Sequence, residues 1–219
     1  MPQNDSTSAV TAPMPTETIE FGGLQIAFDD RVLRPRAWTI AQSQWAADLV
    51  QEAAPGPVLE LFAGVGHIGL AAVVDSDRQL VLVDLNPVAC ELARHNVESA
   101  GLAGRVEVRE GRIDEVVGDA ETYPVIIADP PWVPSAGIHE FPEDPHIAID
   151  GGSDGLDLAR TACEVIDRHL QPGGSAIVQL GTVEQAEAIG EHLTDALGSD
   201  ITLVETRRHD RGVLARLAR

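Results

Sequence analysis

Residues 58–69 read VLELFAGVGHIG, and this stretch decides the fold. Its apolar start predicts a short strand, its glycines predict a tight turn, and its apolar end predicts a helix. Gly64, Gly66 and Gly69 form a Gly-x-Gly-x-x-Gly pattern, which lets a ligand approach backbone amides at a helix N-terminus. Asp84 follows at the end of the next predicted strand, where a ribose-binding acid belongs. The stretch therefore predicts the first strand–turn–helix unit of a nucleotide-binding sheet.

The same alternation of strand and helix continues along the chain. Apolar runs predict seven strands, at 58–61, 80–83, 105–108, 125–128, 176–180, 201–205 and 213–217. Helical spacing predicts helices at 38–54, 68–74, 87–100, 113–117, 156–170 and 183–197. Alternating strands and helices indicate an α/β fold, with a mostly parallel sheet and helices on both faces. The polar, arginine-rich turn 207–211 is too short for a crossover helix, so the C-terminal strand is expected to be antiparallel.

We expect three parts along the chain. Residues 1–16 are polar and lack periodicity, which indicates a disordered leader. Residues 17–56 are expected to form an N-terminal extension, consisting of a hairpin around Gly22-Gly23 and a helix. Residues 57–219 are expected to form the ligand-binding domain. The irregular loop 135–154 is longer than most loops and is expected to cover the substrate.

Composition excludes several classes of function. The 219 residues carry a net charge of −20, which argues against a broad phosphate-binding face and hence against a nucleic-acid substrate. Every basic residue is arginine, so a Schiff-base lysine and a Gly-Lys phosphate loop are both excluded. Cys90 and Cys163 have no neighbouring cysteine, which is typical of reduced thiols in a cytoplasmic protein. No apolar run reaches the ~20 residues of a membrane span, and no metal-ligand spacing is present.

An acid at the end of the first strand distinguishes between two kinds of ligand. Glu60 lies just before the glycine turn, where it would repel a pyrophosphate and attract a cation. S-adenosylmethionine carries an ammonium, a sulfonium and a ribose, so it fits this turn better than a dinucleotide does. Asp84 would then accept hydrogen bonds from both ribose hydroxyls.

A second motif, Asp129-Pro130-Pro131-Trp132, directly follows an apolar strand. The two prolines make the backbone rigid and remove two amide donors. The acceptors that remain are the Asp129 carboxylate and the Pro130 carbonyl, beside the flat ring of Trp132. We interpret these four residues as catalytic: the two acceptors would bind the NH2 group of a planar substrate and orient its nitrogen.

The segment from about Val58 to Leu180 resembles the class I S-adenosylmethionine-dependent methyltransferases, which have a Rossmann-like fold. Within that class it is similar to the HemK-type protein-(glutamine-N5) methyltransferases. The motifs that carry the resemblance are Leu33–Thr39 (LRPRAWT), Glu60–Gly66 (ELFAGVG), Asp129–Pro134 (DPPWVP), Ala148–Leu156 (AIDGGSDGL) and Leu170–Gly174 (LQPGG). Together with the residue patterns, the resemblance implies a cofactor site made of Thr39, Glu60, Phe62, Ala63, Gly64, Gly66, Asp84, Leu85, Arg112, Ile113 and Asp129.

The chain departs from the family pattern at four positions, and one of them is Arg112, where family members carry an acid near the adenine. Asp129 stands where the family has its catalytic asparagine, Trp132 where it has tyrosine, and Phe62 where it has a glycine of the cofactor loop. Asp-Pro-Pro-Trp is closer to the motif of adenine N6 methyltransferases. Fewer than sixty residues precede the core, so the helical docking domain of bacterial members is expected to be absent.

The leading hypothesis is N-methylation of a planar amide or amino group, on a protein glutamine or a small molecule. One alternative is an adenine N6-type nucleic-acid methyltransferase. Another is a NAD-dependent oxidoreductase that uses the Gly-x-Gly-x-x-Gly turn, although it would leave the Asp129–Trp132 motif without a purpose. A cofactor-binding scaffold without catalysis is a third. An accessory subunit could supply the binding surface that a docking domain supplies in relatives.

Overall fold

The computed structural model describes residues 16–209 and 211–219, so residues 1–15 of the expected leader lie outside the described residues. The strands of the described part are β1 (Glu17–Phe21), β2 (Leu24–Phe28), β3 (Val58–Leu61), β4 (Leu80–Asp84), β5 (Val106–Glu110), β6 (Tyr123–Ala128), β7 (Leu170–Leu180), β8 (Thr202–His209) and β9 (Gly212–Ala218). Its α-helices are α1 (Ile40–Glu52), α2 (His67–Val73), α3 (Pro87–Ser99), α4 (Ile113–Val116), α5 (His146–Ile149), α6 (Asp157–His169) and α7 (Val183–Glu191). Among the described helices, none has both the length and the hydropathy needed to cross a membrane.

Seven strands form one sheet in the order β5-β4-β3-β6-β7-β9-β8. The pairs from β5 to β7 are parallel, whereas β9 runs antiparallel to both β7 and β8. The predicted mostly parallel sheet of seven strands with an antiparallel C-terminal strand is therefore confirmed. The strand order reverses between β3 and β6, and open α/β sheets bind ligands at such a switch point.

Both faces of the sheet are buried under helices. Side chains alternate between the faces along each strand, so Val58 packs with α1, α2 and α3 while Leu59 packs with α6 and α7. Burial on both faces explains why the central strands are continuous apolar runs. Cys90 and Cys163 are both buried free thiols in these layers.

The N-terminal hairpin forms a separate two-stranded sheet, β1 and β2, joined by Gly22 and Gly23 at φ values of 58° and 82°. Left-handed residues at both turn positions match the twist of paired strands, and glycine adopts them without strain. The hairpin is attached to the core through Asn96 of α3. Its side-chain amide donates to the Ala27 carbonyl at 3.0 Å and accepts from the Ala27 amide at 2.8 Å.

The start of β7 and the end of β8 are two boundaries that differ clearly from the sequence prediction. β7 begins at Leu170 and includes 172–174, which the prediction assigned to the end of a helix, and its pairing with β6 shifts register there. β8 continues to His209, so Arg207 is a strand residue rather than part of a hairpin tip, and its guanidinium lies 3.7 Å from the centre of the Trp45 ring. Pairing with β9 supplies the ladder hydrogen bonds that keep this polar segment extended, and local composition does not reveal them.

Candidate active site

Three strands end side by side at the switch point of the sheet. β3 leads into Phe62, β4 ends at Asp84, and β6 leads into Asp129. Backbone hydrogen bonds continue past the strands: the Ala63 amide donates to the Val83 carbonyl at 3.0 Å, and the Asp129 amide to the Leu61 carbonyl at 3.4 Å. The glycine turn, Asp84 and the Asp-Pro-Pro-Trp motif therefore meet at one edge of the sheet, because parallel strands end there together.

A cavity of about 790 Å³ opens at this edge. The predicted site residues on its wall are Thr39, Phe62, Ala63, Gly64, Asp84, Leu85, Arg112, Ile113, Asp129, Pro130, Pro131 and Trp132. The cavity therefore unites both motifs with the segment that precedes α1. Glu60 and Gly66 are the two predicted residues that do not line it.

Glu60 lies beneath the glycine turn rather than on the cavity wall. It is fully buried, and its Oε2 accepts a hydrogen bond from the Gly69 amide at 2.9 Å. Its Oε1 is also buried and has no hydrogen-bond partner among the described residues. Burial raises the pKa of Glu60 well above its ordinary value, and the neighbouring Asp129 and Asp84 raise it further. Glu60 does not line the cavity, and its expected place in the cofactor site stays a prediction.

Three residues of the turn, Phe62, Gly64 and Gly66, have backbone conformations that favour glycine. Gly66 has φ 80°, and a Cβ there would lie 2.8 Å from Leu82 Cδ1, so its role is close packing beneath the turn. Phe62 has φ 59° although it is not glycine. Left-handed backbone costs a bulky residue of order 1–3 kcal/mol, and such strain concentrates at ligand sites. Phe62 therefore has a left-handed backbone at the position where the HemK-type proteins have glycine.

Asp84 shapes the turn and faces the cavity. Its Oδ2 accepts from the Gly64 amide at 2.7 Å, and its Oδ1 accepts from the Asn86 amide at 2.8 Å. Burial raises its pKa, although these two hydrogen bonds oppose the shift. Each carboxylate oxygen can accept a further hydrogen bond, so Asp84 can still bind the hydroxyls of a sugar.

Asp129 is the acid of the second motif, and it borders the cavity. Burial raises its pKa to about 7, and no hydrogen bond from another described residue offsets that effect. Pro130 and Pro131 are buried and have no amide hydrogen, so the backbone directly after Asp129 offers no donor, and the Asp129 carboxylate accepts no hydrogen bond from another described residue. An NH2 group is the kind of ligand atom that such a notch can bind.

Trp132 is held in place rather than standing free as a platform. Its six-membered ring lies so close to Gly181 that a Cβ on Gly181 would be 2.5 Å from a ring carbon. Part of Trp132 still lines the cavity, so the ring can contact a planar ligand.

Two further segments form part of the cavity wall, namely the segment before α1 and the loop 135–154. The segment before α1 contributes Arg36 and Trp38 to the wall, and the loop 135–154 contributes Phe141, Asp144 and Ile147. Arg36 and Asp144 form an ion pair between the two segments, and the Asp144 side chain is only 8% exposed. The loop therefore lies beside the predicted substrate site, and Arg36 balances the charge of a mostly buried acid.

His67 lines the cavity although it was not among the predicted site residues. Its ring packs edge-on against Phe21, with centroids 4.8 Å apart, and its Nε2 lies 3.3 Å from Thr39 Oγ1. Burial lowers the pKa of His67 to about 3, so it is neutral at physiological pH. Further wall residues outside the motifs are Asn86, Gly111, Thr161 and Arg211, and Val65 and Val133 are wall residues within motifs that were not predicted as site residues. Most come from separate segments, although Asn86 could have been found from its position two residues after Asp84.

The chemistry of the site fits a cationic cofactor. Glu60, Asp84 and Asp129 all have raised pKa values, and no arginine is among the causes that act on them. A ligand with positive groups would stabilise these carboxylates, whereas a pyrophosphate would add repulsion. The residues present therefore fit S-adenosylmethionine and disfavour a dinucleotide. Among the described residues, no cluster of three or more His, Cys, Asp or Glu is arranged to hold a metal ion.

Comparison with known proteins agrees with this geometry. Residues 21–143 match the family model described as "Conserved hypothetical protein 95". The chain is 36% identical over 178 residues to the release factor glutamine methyltransferase of Geobacter sulfurreducens, covering 78% of this chain and 61% of that protein. It is 31% identical to the ribosomal protein uL3 glutamine methyltransferase of Francisella tularensis, covering 76% of this chain and 55% of that protein. The chain thus spans somewhat more than half the length of these relatives.

The fold has a solved counterpart in a methyltransferase from Pyrococcus furiosus. The TM-score is 0.61 at 18% sequence identity, and the match covers 90% of this chain and 89% of the other. At that identity the likeness concerns the fold alone, and it confirms the Rossmann-like architecture.

Proposed function

The chain belongs to the conserved hypothetical protein 95 family and has the class I methyltransferase fold, and from this premise we propose that it is an S-adenosylmethionine-dependent N-methyltransferase. We further propose that its acceptor is a planar amide, in the first place the side chain of a protein glutamine. Both relatives described above are named glutamine methyltransferases, one for a release factor and one for a ribosomal protein. Acceptors of that kind would place the reaction in the cytoplasm.

The single observation that carries the proposal is the position of Asp129. This half-buried carboxyl lies on the wall of the same cavity as the glycine turn and Asp84. It has no hydrogen-bond donor of its own among the described residues, so it is available to a substrate NH2 group. A planar amide needs that acceptor, because a hydrogen bond from its NH2 favours the nucleophilic geometry at nitrogen.

The cofactor would lie along the turn, held by Asp84, the backbone at Ala63 and Gly64, and the apolar side chains of Leu85 and Ile113. When bound, it supplies a methyl group already activated on a sulfonium. Asp129 and the Pro130 carbonyl orient the acceptor nitrogen and stabilise the positive charge that develops on it. The closing segments around Arg36 and Asp144 exclude water from the reacting groups.

Calorimetry with S-adenosylhomocysteine and with NAD tests the cofactor directly. We expect binding of the first and none of the second, and the reverse result would favour the oxidoreductase hypothesis. Labelled S-adenosylmethionine, incubated with cell extract and then fractionated, identifies the acceptor class. Label in the protein fraction supports the glutamine proposal, whereas label in RNA or DNA supports an adenine acceptor, against which the net charge of −20 argues.

Asp129→Ala tests the catalytic role. We expect methyl transfer to fall by about 100-fold or more, as when one stabilising group is removed from an active site, with S-adenosylhomocysteine still bound. Asp129→Asn keeps an acceptor oxygen and should retain measurable transfer. The matched control is Asp119→Ala, which removes an exposed acid that does not line the cavity. Full turnover of Asp129→Ala would refute the proposal.

A further inference from the structure

One side chain outside the cavity joins three segments of the site. Gln185, near the start of α7, donates from Nε2 to the Trp132 carbonyl at 3.1 Å and to the Asp154 carbonyl at 3.4 Å. Its Oε1 accepts from the Gly181 amide at 2.9 Å. Trp132 belongs to the catalytic motif, Asp154 to the covering loop, and Gly181 follows β7. A single amide therefore connects the motif with both of the elements beside it.

The backbone around Trp132 has no spare room. A Cβ on Gly155 would lie 2.3 Å from the Trp132 carbonyl oxygen, and a Cβ on Gly151 would lie 2.7 Å from the Pro131 carbonyl oxygen. The Val133 amide also donates to the Ile149 carbonyl at 3.0 Å. The glycines of the 148–156 motif thus allow the covering loop to contact the backbone of the catalytic motif directly.

We propose that Gln185 is a positioning residue for methyl transfer, acting through Trp132. This inference rests on the proposed N-methyltransferase function. Gln185 does not line the cavity, so its effect must pass through the groups it binds. Because two prolines precede Trp132, a displacement at its carbonyl is transmitted along a rigid segment to Pro130 and Asp129.

The geometry requires one donor and one acceptor on the same side chain, which is what a glutamine amide provides. Gln185→Glu keeps the acceptor oxygen but replaces the donor with an anion facing two carbonyl oxygens. Gln185→Met has a similar length and removes both functions. The position is half-buried and near a helix start, so both variants are expected to fold.

The first measurement compares methyl transfer with cofactor binding. We expect both variants to transfer label into the protein fraction of cell extract about 10- to 100-fold more slowly at saturating S-adenosylmethionine, since a small misplacement of catalytic groups has effects of that size. The dissociation constant for S-adenosylhomocysteine should change by less than about twofold, because the groups at the turn are untouched. The control is Gln171→Glu, the same chemical change at the opposite end of β7, where Gln171 donates to Thr122.

The second measurement follows Trp132 itself. The chain has three tryptophans, so the double substitution Trp38→Phe and Trp45→Phe leaves Trp132 as the only tryptophan. In that background Gln185→Glu should increase the quenching of Trp132 by acrylamide, because the ring loses its fixed position against Gly181. Gln171→Glu should leave the quenching unchanged.

Unchanged transfer rates in both Gln185 variants would overturn the inference, as would slower transfer with unchanged Trp132 quenching. A wild-type chain that transfers no methyl group at all would overturn the proposed function instead. In that case the quenching measurement alone decides whether Gln185 positions Trp132.

Discussion

Gly69→Ala gives a direct test of how the glycine turn is supported. Gly69 lies inside α2, and at an ordinary position in a helix interior this substitution stabilises a protein by about 0.5–1 kcal/mol. Here a Cβ would lie 2.2 Å from Glu60 Oε2, far closer than atoms can approach. The same oxygen accepts the Gly69 amide at 2.9 Å, so the buried carboxyl cannot move away without losing that hydrogen bond. We therefore expect the substitution to destabilise the fold.

The expected loss of stability combines two unfavourable contributions and one favourable contribution. Overpacking of a filled interior costs about 1–3 kcal/mol. Loss of a hydrogen bond to a buried polar group costs about 1–3 kcal/mol. After the gain in helix propensity, the net loss is about 3 kcal/mol, which lowers the melting temperature by roughly 6–12 °C in a protein of this size. Thermal and urea unfolding of wild type and variant measure this loss.

Glu60→Ala supplies the control background. Without the carboxyl there is room for the new Cβ, so Gly69→Ala should be neutral or slightly stabilising in that background. The difference between the two backgrounds is the interaction energy of the pair. The reasoning is refuted if Gly69→Ala does not destabilise the wild type, or if it destabilises both backgrounds equally.

Three further predictions concern the Asp129–Trp132 motif and the loop 135–154. The folded-state pKa of Asp129, about 7, lies above the ordinary value of 3.8, so ionisation of Asp129 destabilises the fold progressively from about pH 4 to pH 7. Denaturant unfolding should therefore show that Asp129→Asn is more stable than wild type at pH 8 by up to about 4 kcal/mol, and that this difference disappears near pH 4. Gly181→Ala would place a Cβ 2.5 Å from the Trp132 ring, and we expect transfer to fall about 10-fold or more with little change in S-adenosylhomocysteine binding; equal losses of both would contradict this. Arg36→Ala leaves the mostly buried Asp144 without its ion-pair partner, and hydrogen exchange of the loop 135–154 should become faster, whereas unchanged protection would show that the pair does not hold the loop.

Much of the architecture was predictable because it depends on local pattern. The apolar runs and the helical spacing predicted all seven strands of the sheet, and the short final connection predicted its antiparallel strand. Strand ends were less accessible to prediction. The polar residues 206–209 form a strand because they pair with β9 in a hairpin, and the composition of this segment does not reveal that pairing.

In the candidate site, too, some residues were predictable from the sequence and others were not. Gly64, Asp84 and Asp129 were identifiable because each directly follows or ends a predicted strand, and parallel strand ends meet at one edge of a sheet. The burial of Glu60 away from the cavity was not identifiable, because the face that a strand residue occupies depends on which helix packs there. No motif assigns a role to His67 or Gln185. Their importance comes from contacts between segments far apart in the chain, since His67 contacts Thr39 and Gln185 contacts Trp132.

The amino-acid order alone therefore determined the class of fold, and it predicted the kind of cofactor and the acid expected to face the acceptor, since these follow from residue type and from position relative to strand ends. Only the tertiary structure decided which acids reach the cavity, what holds Trp132 and what closes the site. Those properties depend on distances between segments far apart in the chain, where a few tenths of an ångström at a glycine separate contact from clash.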